Sequence, residues 1–469
     1  MIKTYEIPYF IGLDQSIEED RIRPAFSPDA VNCETEGGRL RTAKGYLKYS
    51  SAPVPGAAAV DMLTSLRKND GSEIPVCITG GSVYALVNDS WQLKYSYEAP
   101  ISHSYDCAAV RIGTTDHLVI ADGKHRMLKF DGSTVSLFGS EEGCSDIPCA
   151  FLTVYRGRLF AAGESENPDR LYYSCLPGSG RTVENWGYVE ASPAVEGGHA
   201  EVGSIGGDPI VAIKALSNQL LIFKKHSLYR LIGDRPSNFT IEHIDASVPE
   251  TVHTAIGIHG DILYFVTKNG LYYYNGVTAR PCPDMRLIKR CMSTADVRHS
   301  RLVTVRDRLY FTIKRGFADE MVIYDLIERK YMRRTGFSLH DLAEIDGMVM
   351  LISGTRHLCM FESGETYDGV PISAYWTTPL TDLSDMAVIK SPRMLFMRAH
   401  GDPIDVTLTC DGRSETRRIT LPASGSAVTE MPFFEGGRAF SLRIANVNGG
   451  RMEFEGGLQL ELSVRRRTE

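Results

Sequence analysis

Short apolar runs alternate with polar or glycine-rich turns along most of the chain. The clearest unit covers residues 259–276, where the apolar run Ile262–Thr267 and the aromatic run Leu271–Tyr274 are each followed by an Asn-Gly turn. Asn-Gly is a strong hairpin signal because both residues can adopt positive φ, so we expect that conformation at both positions of each turn. The pattern predicts a meander of three strands in about twenty residues.

Related units recur at a period near forty residues. Six positions are equivalent, and the steps between them are 41, 61, 43, 46 and 40 residues: Leu118, Leu159, Leu220, Leu263, Leu309 and Val349. This period, with several short strands per unit, predicts β-propeller blades, because one meander cannot bury both of its faces until neighbouring blades pack against it. We expect about seven blades in residues 51–368, and residues 1–50 as a lead-in that closes the ring.

The 61-residue step contains an excess of about twenty residues around 177–208, a segment with eight glycines and no strong strand pattern. We expect a long inserted loop there that projects from one face of the ring, and such insertions often make contacts with partners.

The forty-residue period breaks at residues 366–369. Beyond it, residues 372–378 and 404–410 alternate between apolar and polar positions, whereas residues 393–399, with four consecutive apolar residues at 394–397, are typical of a buried strand. Five or six strands in residues 369–469 predict a small β-sandwich. The expected fold is therefore all-β, a propeller followed by a sandwich.

Composition narrows the class of function. The 469 residues carry a formal net charge of −7, and 43% are apolar, which is ordinary for a globular protein and unlike a general nucleic-acid binder. No apolar run is long enough to span a membrane, and the first residues lack the apolar core of a secretion signal. The ten cysteines include no C-x-x-C pair, so we expect reduced core residues of a protein that folds in a cytosol.

Sequence signals for catalysis are weak. A phosphate-binding loop before a helix, a G-x-S-x-G elbow and an H-E-x-x-H pair are all missing. Propeller glycosidases need two opposed carboxylates, but the candidates here lie in or beside turns, where aspartate is common for local reasons: Asp122, Asp131, Asp261 and Asp307. The histidines are scattered. We expect no enzyme activity, no cofactor and no metal, and we keep a carbohydrate-active propeller enzyme and a cellular protein-binding propeller as alternatives.

The densest basic stretch of the chain is lightly offset by Asp296 and Asp307 and consists of Arg286, Lys289, Arg290, Arg298, Arg301, Arg306 and Arg308. It could contact an acidic neighbour or a DNA backbone, or it could be a solvated blade edge whose charges prevent unwanted strand pairing.

A resemblance to known proteins rests on both ends of the chain. Near the N-terminus the sequence contains S-x-D-A-x-N (27–32), E-x-G-x-L-R (36–41) and Gly45-Tyr46. Near the C-terminus, W-x-T (376–378) is followed by Lys390 and by a closing G-x-x-L-x-L strand (457–462). Together these segments resemble the β-propeller tail proteins of short-tailed bacteriophages, among them hub, nozzle and packaged-DNA-stabilisation proteins.

The resemblance implies a structural virion protein that is assembled in the host bacterial cytoplasm. It implies a homo-oligomeric ring, a hexamer, beneath the portal and adaptor proteins, with double-stranded DNA passing through the lumen without sequence-specific binding. A mildly acidic subunit suits that role, since it repels the phosphates of its cargo. We expect the lead-in and the basic stretch to contribute partner contacts: Asp29, Asn32, Arg39, Arg41, Arg286, Lys289, Arg290, Arg298 and Arg301.

Overall fold

A computed structural model describes residues 2–98, 105–139, 147–178, 180–186, 196–203, 207–245, 248–282, 284–293, 296–315, 318–425, 427–430 and 436–466. Strands dominate these residues. The helical elements are one short α-helix, α1 (Lys289–Met292), and single 3₁₀ turns at Glu19–Arg21, Pro236–Asn238, His253–Ala255, Met285–Ile288 and Val297–His299. Within the described residues, no helix combines the length and the apolar character needed to cross a membrane.

Residues 1–50 contribute five strands: β1 (Ile2–Ile7), β2 (Asp29–Val31), β3 (Cys33–Glu36), β4 (Arg39–Thr42) and β5 (Tyr46–Lys48).

The described strands of residues 60–371 belong to seven sheets that follow one another along the chain, and their strands are antiparallel apart from one parallel pair in the seventh. The first four are β6 (Val60–Arg67), β7 (Glu73–Thr79), β8 (Ser82–Val87) and β9 (Ser90–Ser96); β10 (Asp106–Ile112), β11 (Thr115–Ala121), β12 (Leu128–Phe130) and β13 (Val135–Leu137); β14 (Phe151–Tyr155), β15 (Arg158–Ala162), β16 (Arg170–Tyr173) and β17 (Gly198–Glu201); and β18 (Ile210–Leu216), β19 (Gln219–Lys224), β20 (Leu228–Ile232) and β21 (Thr240–Asp245).

The remaining three are β22 (Ile256–His259), β23 (Ile262–Thr267), β24 (Gly270–Tyr274) and β25 (Ala279–Pro281); β26 (Leu302–Val305), β27 (Arg308–Arg315), β28 (Ala318–Asp325) and β29 (Lys330–Phe337); and β30 (Leu339–Ile345), β31 (Met348–Ser353), β32 (Leu358–Phe361), β33 (Thr366–Tyr367) and β34 (Val370–Pro371).

These sheets are the blades of a β-propeller, which confirms the predicted fold class. The six positions that set the period all lie on the second strand of successive blades. The seventh blade takes its fourth strand from the lead-in, since β5 pairs with β32 in the order β30-β31-β32-β5. A strand from the start of the chain therefore closes the ring.

The blades are held together by apolar clusters that lie between neighbours. One cluster joins blades seven and one, with Cys77 packed near Ile352, and it closes the circle. Others join blades one and two, two and three, three and four, four and five, and six and seven. No blade buries both faces alone, which is the physical reason for the repeat.

The two Asn-Gly turns of blade five differ from the expected geometry. Only their glycines adopt positive φ, +116° at Gly270 and +91° at Gly276. The side-chain oxygen of Asn275 instead accepts two main-chain N–H groups, at 3.1 and 3.0 Å. Asp131 and Asp325 make the same turn between the third and fourth strands of blades two and six. An Asx turn fixes the chain here without a second left-handed residue.

The C-terminal strands are β35 (Tyr375–Thr377), β36 (Val388–Gly401), β37 (Ile404–Cys410), β38 (Arg413–Ile419), β39 (Ala427–Glu430), β40 (Phe440–Asn446) and β41 (Met452–Arg466). They form a sandwich, but four strands of the lead-in belong to it. The first sandwich sheet has the order β3-β4-β41-β36-β39, and β1 also pairs with β41. The other has the order β2-β35-β40-β37-β38. Residues 1–50 are thus shared between the sandwich and blade seven.

The sandwich and the propeller have a continuous core. One apolar cluster contains Leu460 and Leu408 from the two sandwich sheets, Phe10 and Leu13 from the lead-in, and Tyr331 from blade six. Phe10 packs edge-on against Trp376, with ring centroids 5.3 Å apart. The lead-in therefore lies between the two domains and packs against both.

The inserted segment 177–208 is built differently from the projecting loop that its glycines predict. Its described residues include β17, the fourth strand of blade three, and a stretch against blade two where Val183, Glu184 and Trp186 are buried. Lys129 on β12 donates to both carboxylate oxygens of Glu184, at 2.8 and 2.9 Å. This ion pair holds the stretch in place. Residues 179, 187–195 and 204–206 of the insert lie outside the described residues.

The segment 393–399, with its apolar run at 394–397, also differs from its prediction as a buried strand. Leu395, Met397 and Ala399 point into the sandwich core, but Phe396 is 38% exposed on the outer face of the first sheet. A run that is apolar on both faces is buried on only one of them.

Nine cysteines fall within the described residues, and all are free thiols. Eight of them are buried, and Cys107 is partly buried.

Candidate functional site

Asn32 is the centre of the junction between the two domains. It is 2% exposed, and its φ of +53° turns the chain from β2 into β3. Its Nδ2 donates to the carbonyl oxygens of Thr335 on β29 (3.0 Å) and Ser373 before β35 (2.8 Å). Its Oδ1 accepts from the N–H of Thr335 (3.0 Å) and the hydroxyl of Tyr367 (3.1 Å). One buried amide therefore connects blade six, blade seven and the sandwich.

A buried charge cluster lies next to Asn32. The side chain of Arg334 on β29 is fully buried, and it donates to the carbonyl oxygen of Cys33 (2.8 Å) and to Glu34 Oε1 (3.0 Å). Arg41 donates to the other oxygen of Glu34 (2.9 Å) and to exposed Glu36 (3.1 Å). Burial acts to raise the pKa of Glu34, but Arg334 and Arg41 outweigh it and lower that pKa. Glu34 is a carboxylate between two guanidinium groups, and it ties the lead-in to blade six.

The other predicted lead-in residues differ in their surroundings. Asp29 accepts from Arg333 of blade six (3.2 Å) and from the hydroxyl of Tyr375 in the sandwich (3.0 Å), so it too bridges the domains. Arg39 is exposed on β4. Arg41 lies between two clefts at the domain seam. The first, of about 340 Å³, is lined by Lys44, Glu365, Asp402 and Arg451, and the second, of about 490 Å³, by Arg306, Arg308, Met348 and Glu362.

The basic stretch does not form one patch. Arg286 and Lys289 are exposed near α1. Arg290 pairs with Glu19 of the lead-in (3.1 Å), and Arg298 pairs with Asp296 (3.2 Å). Arg301 is largely buried and lies elsewhere, at the centre of the ring. Acidic residues that are distant in sequence, such as Glu19, neutralise part of this positive charge. That the basic residues contact another protein stays a prediction.

Arg301 joins three consecutive blades. It precedes the first strand of blade six, and its guanidinium donates to Asp341 on blade seven and to the carbonyl oxygen of Asp61 on blade one (2.7 Å). Asp341 is 1% exposed and accepts the N–H of Leu63 (2.7 Å). Burial raises the pKa of Asp341 even though Arg301 acts to lower it.

His253 makes a second link between blades that are distant in the ring. His253, before the first strand of blade five, donates from Nε2 to the carbonyl oxygen of Tyr105, before blade two (3.0 Å), and its ring lies against Phe151 of blade three at 5.1 Å. Asp106 of blade two accepts the N–H of Leu152 of blade three (2.9 Å). Burial lowers the pKa of His253, which keeps the ring neutral at neutral pH. The Arg301–Asp61 and His253–Tyr105 hydrogen bonds therefore each join blades that are not neighbours in the ring.

Sequence reasoning missed Arg334, His253 and the surroundings of Lys390. In β29, Arg334 shares a face with buried Met332, since strand positions two apart point the same way, and this alternation is the one signal that could have indicated a buried arginine. Nothing local indicates the partners, since Glu34 lies 300 residues away. Among the described residues no group of three or more His, Cys, Asp or Glu side chains is placed to bind a metal ion.

Comparisons with known proteins add only distant similarities. No protein-family model matches the chain, and no curated protein shows significant similarity to it. The solved structures that resemble it include PorZ, a bacterial surface component of the type-IX secretion system of Porphyromonas gingivalis (TM-score 0.42, 12% identity, 78% of this chain and 46% of that chain). The chain therefore spans less than half the length of PorZ.

Two further structures are WD40 propeller domains. That of Doa1 has a TM-score of 0.44 at 8% identity and covers 68% of this chain and 97% of its own. That of Neurospora crassa Pan2 has a TM-score of 0.40 at 10% identity and covers 68% of this chain and 94% of its own. The propeller assignment rests on the strand pairing described above, and the resemblance to phage tail proteins stays a prediction.

Proposed function

We propose that this chain is a structural subunit of a bacteriophage tail, of the hub or nozzle type, which assembles into a ring that helps to retain the packaged genome and to conduct it at infection. One observation supports the proposal most. The positions that carry the resemblance, taken from both ends of the sequence, lie together as the contacts that join propeller, lead-in and sandwich.

The N-terminal positions of the resemblance supply half of these contacts. Ser27 is fully buried and donates from Oγ to the carbonyl oxygen of Thr377 (2.6 Å). A Cβ on Gly45 would lie 2.0 Å from the carbonyl oxygen of Thr366, so only glycine allows this approach. The next residue, Tyr46, stacks on Tyr367 with ring centroids 5.4 Å apart.

The C-terminal positions supply the other half. Trp376 is 1% exposed in the shared core. Gly457 leaves space for the carbonyl oxygen of Ile7, which would lie 1.7 Å from an added Cβ. The ammonium group of Lys390 is buried and donates to the carbonyl oxygens of Asp385 (2.6 Å), Arg438 (2.7 Å) and Val388 (3.2 Å). The two glycines let main chain approach main chain, Ser27 and Lys390 bond to carbonyl oxygens, and Trp376 and Tyr46 pack, so each position has a role in architecture.

These contacts suit a subunit that bears force. A shared core and buried polar bridges make propeller and sandwich one packed body, which transmits strain instead of yielding at a hinge. Side chains join non-neighbouring blades inside the propeller, so a genome would pass between subunits, through the lumen of a ring. The net charge of −7 suits such a lumen, because it repels DNA phosphates.

The test is to co-express the full chain with the products of its neighbouring genes, purify the complexes and image them by negative-stain electron microscopy. The proposal expects rings of this subunit, bound to a portal–adaptor complex. A chain that stays monomeric beside all of these products would contradict it and favour the cellular binding platform. Turnover of a glycan panel by the purified chain would instead favour the carbohydrate-active enzyme.

A further inference from the structure

Lys224 differs from the other buried lysines of the described chain. Four lysines there are exposed by 9% or less: Lys129, Lys224, Lys330 and Lys390. The ammonium groups of the other three donate hydrogen bonds to carboxylate or carbonyl oxygens. Within the described residues the ammonium group of Lys224 makes neither a hydrogen bond nor an ion pair, and it lies 5.8 Å from the ring centroid of Tyr229. An unpaired buried charge is costly, so this exception needs an explanation.

Lys224 lies in the seam between blades three and four. It is the last residue of β19 and shares a face with Leu220 and Ile222, which pack in the apolar cluster that joins these two blades. Tyr229, on β20, lies opposite Ile222, and its ring is held against His243 with centroids 4.9 Å apart. Apolar and aromatic groups therefore surround the stem of the lysine.

Gly203, in the link between the same two blades, leaves a space beside the ammonium group. A Cβ on this residue would lie 3.4 Å from Lys224 Nζ and 2.9 Å from Tyr229 Oη. Like the ammonium group, the hydroxyl of Tyr229 has no hydrogen bond in the part of the chain that the structure describes. Gly203 is exposed, so the space lies at the surface of the protein. Two polar groups without partners therefore converge on one small surface site.

The charges around this site favour a particular chemistry. Burial lowers the pKa of Lys224, although the carboxylates of Asp169, Asp208 and Glu201 act to raise it. A lowered pKa increases the fraction of neutral amine, whose lone pair is the nucleophile. The same carboxylates favour a product that keeps a positive charge. A protonated imine keeps it, whereas an amide or a carbamate does not, so the site suits aldehydes.

We propose that Lys224 is a reactive amine that forms imines with small aldehydes, and that Tyr229 is its proton donor. The amine lone pair forms a bond to the carbonyl carbon, and a proton moves from nitrogen to oxygen to give a carbinolamine. The carbon–oxygen bond then breaks as Tyr229 protonates the departing hydroxyl, and the remaining proton on nitrogen returns to Tyr229. Amine and aldehyde give imine and one water. This inference does not depend on the proposed ring.

The test treats the folded full-length chain with acetaldehyde and cyanoborohydride at pH 7. The hydride reduces each imine to a stable secondary amine, and peptide mass spectrometry measures the rate at every lysine. Lys225 is the matched control, because it is the next residue and is exposed. Lys224 should react at least about fivefold faster than Lys225. In a urea-denatured chain the two rates should be equal, because the difference belongs to the fold.

Two variants test the surroundings of the amine. Tyr229→Phe keeps the ring but removes the hydroxyl, and it should slow Lys224 at least about threefold without changing Lys225. Gly203→Ala places a methyl group in the space and should also slow Lys224 alone. Because Gly203 has a φ of +78°, alanine also strains the chain there, and Tyr229→Phe decides the case if that variant does not fold.

Three results would overturn the inference. One is a folded wild-type chain in which Lys224 reacts no faster than Lys225. Another is an unchanged rate at Lys224 in Tyr229→Phe. The third is labelling of Lys129 and Lys390 at the rate of Lys224, since their hydrogen-bonded ammonium groups should stay unmodified and equal labelling would indicate general access to the interior.

Discussion

Replacing Glu34 by glutamine tests whether the buried charge cluster holds the lead-in. The change keeps the shape of the side chain but leaves Arg334, whose side chain is fully buried, without its carboxylate. Breaking a buried ion pair on one side costs about 3–5 kcal/mol. Because the new amide oxygen can still accept from Arg334, we expect the lower end, about 3 kcal/mol. Glu36→Gln is the matched control: Glu36 also pairs with Arg41 but is 66% exposed, so its loss should cost less than about 1 kcal/mol.

The assay is native-state hydrogen exchange, which resolves the lead-in from the rest of a chain whose unfolding need not be two-state. A loss of 3 kcal/mol lowers the protection of the β3 and β4 amides by about two orders of magnitude. The pH dependence gives a second measurement. The pKa of Glu34 is lowered in the folded chain, so its stabilisation is present at neutral pH and is lost as the pH falls through the range where a glutamate is protonated. Glu34→Gln should flatten that loss.

Adding Arg334→Met to Glu34→Gln removes the uncompensated charge and should restore part of the protection. Equal effects of Glu34→Gln and Glu36→Gln, or an unchanged pH dependence in Glu34→Gln, would refute this reasoning.

Three further changes test other parts of the junction and the axis. Gly457→Ala places a Cβ 1.7 Å from a carbonyl oxygen and should detach β1, seen as lost amide protection, whereas Gly456→Ala meets nothing within 4 Å and should not. Lys390→Met leaves three carbonyl oxygens without their donor and should speed proteolysis of the 378–387 loop, with no change in the propeller. Arg301→Met should lower the thermal midpoint by several degrees, because it leaves the buried carboxylate of Asp341 without its ion pair. Arg298→Met, at an exposed ion pair, should not lower it, and equal midpoints of the two variants would contradict the role of Arg301.

The propeller could be predicted because its information is local. Each blade repeats an apolar second strand and a turn, and the equivalent positions from Leu118 to Val349 fall on that strand in every case. The conformation of the turns was harder to predict. At Asn275 the same residues suit both an Asx turn and a hairpin turn with two residues at positive φ.

The junction could not be predicted in the same way. Nothing near Glu34 indicates that Arg334 lies against it, and the spacing of the basic stretch does not show that Glu19 and Asp341 neutralise Arg290 and Arg301. Sequence patterns also do not show whether a run that is apolar on both faces, such as residues 394–397, is covered on both.

If this chain forms the proposed ring, the hydrogen bonds between non-neighbouring blades limit how that ring could conduct a genome. Because Arg301 and His253 reach across the blades, an opening there would have to break buried polar contacts, each of which leaves a desolvated group behind. A passage between subunits avoids that cost, but it places the stress on the interfaces and on the junction with the sandwich. That junction contains a buried charge cluster, a shared core and glycines that admit main-chain contact. These features are expected where two domains must stay packed under stress.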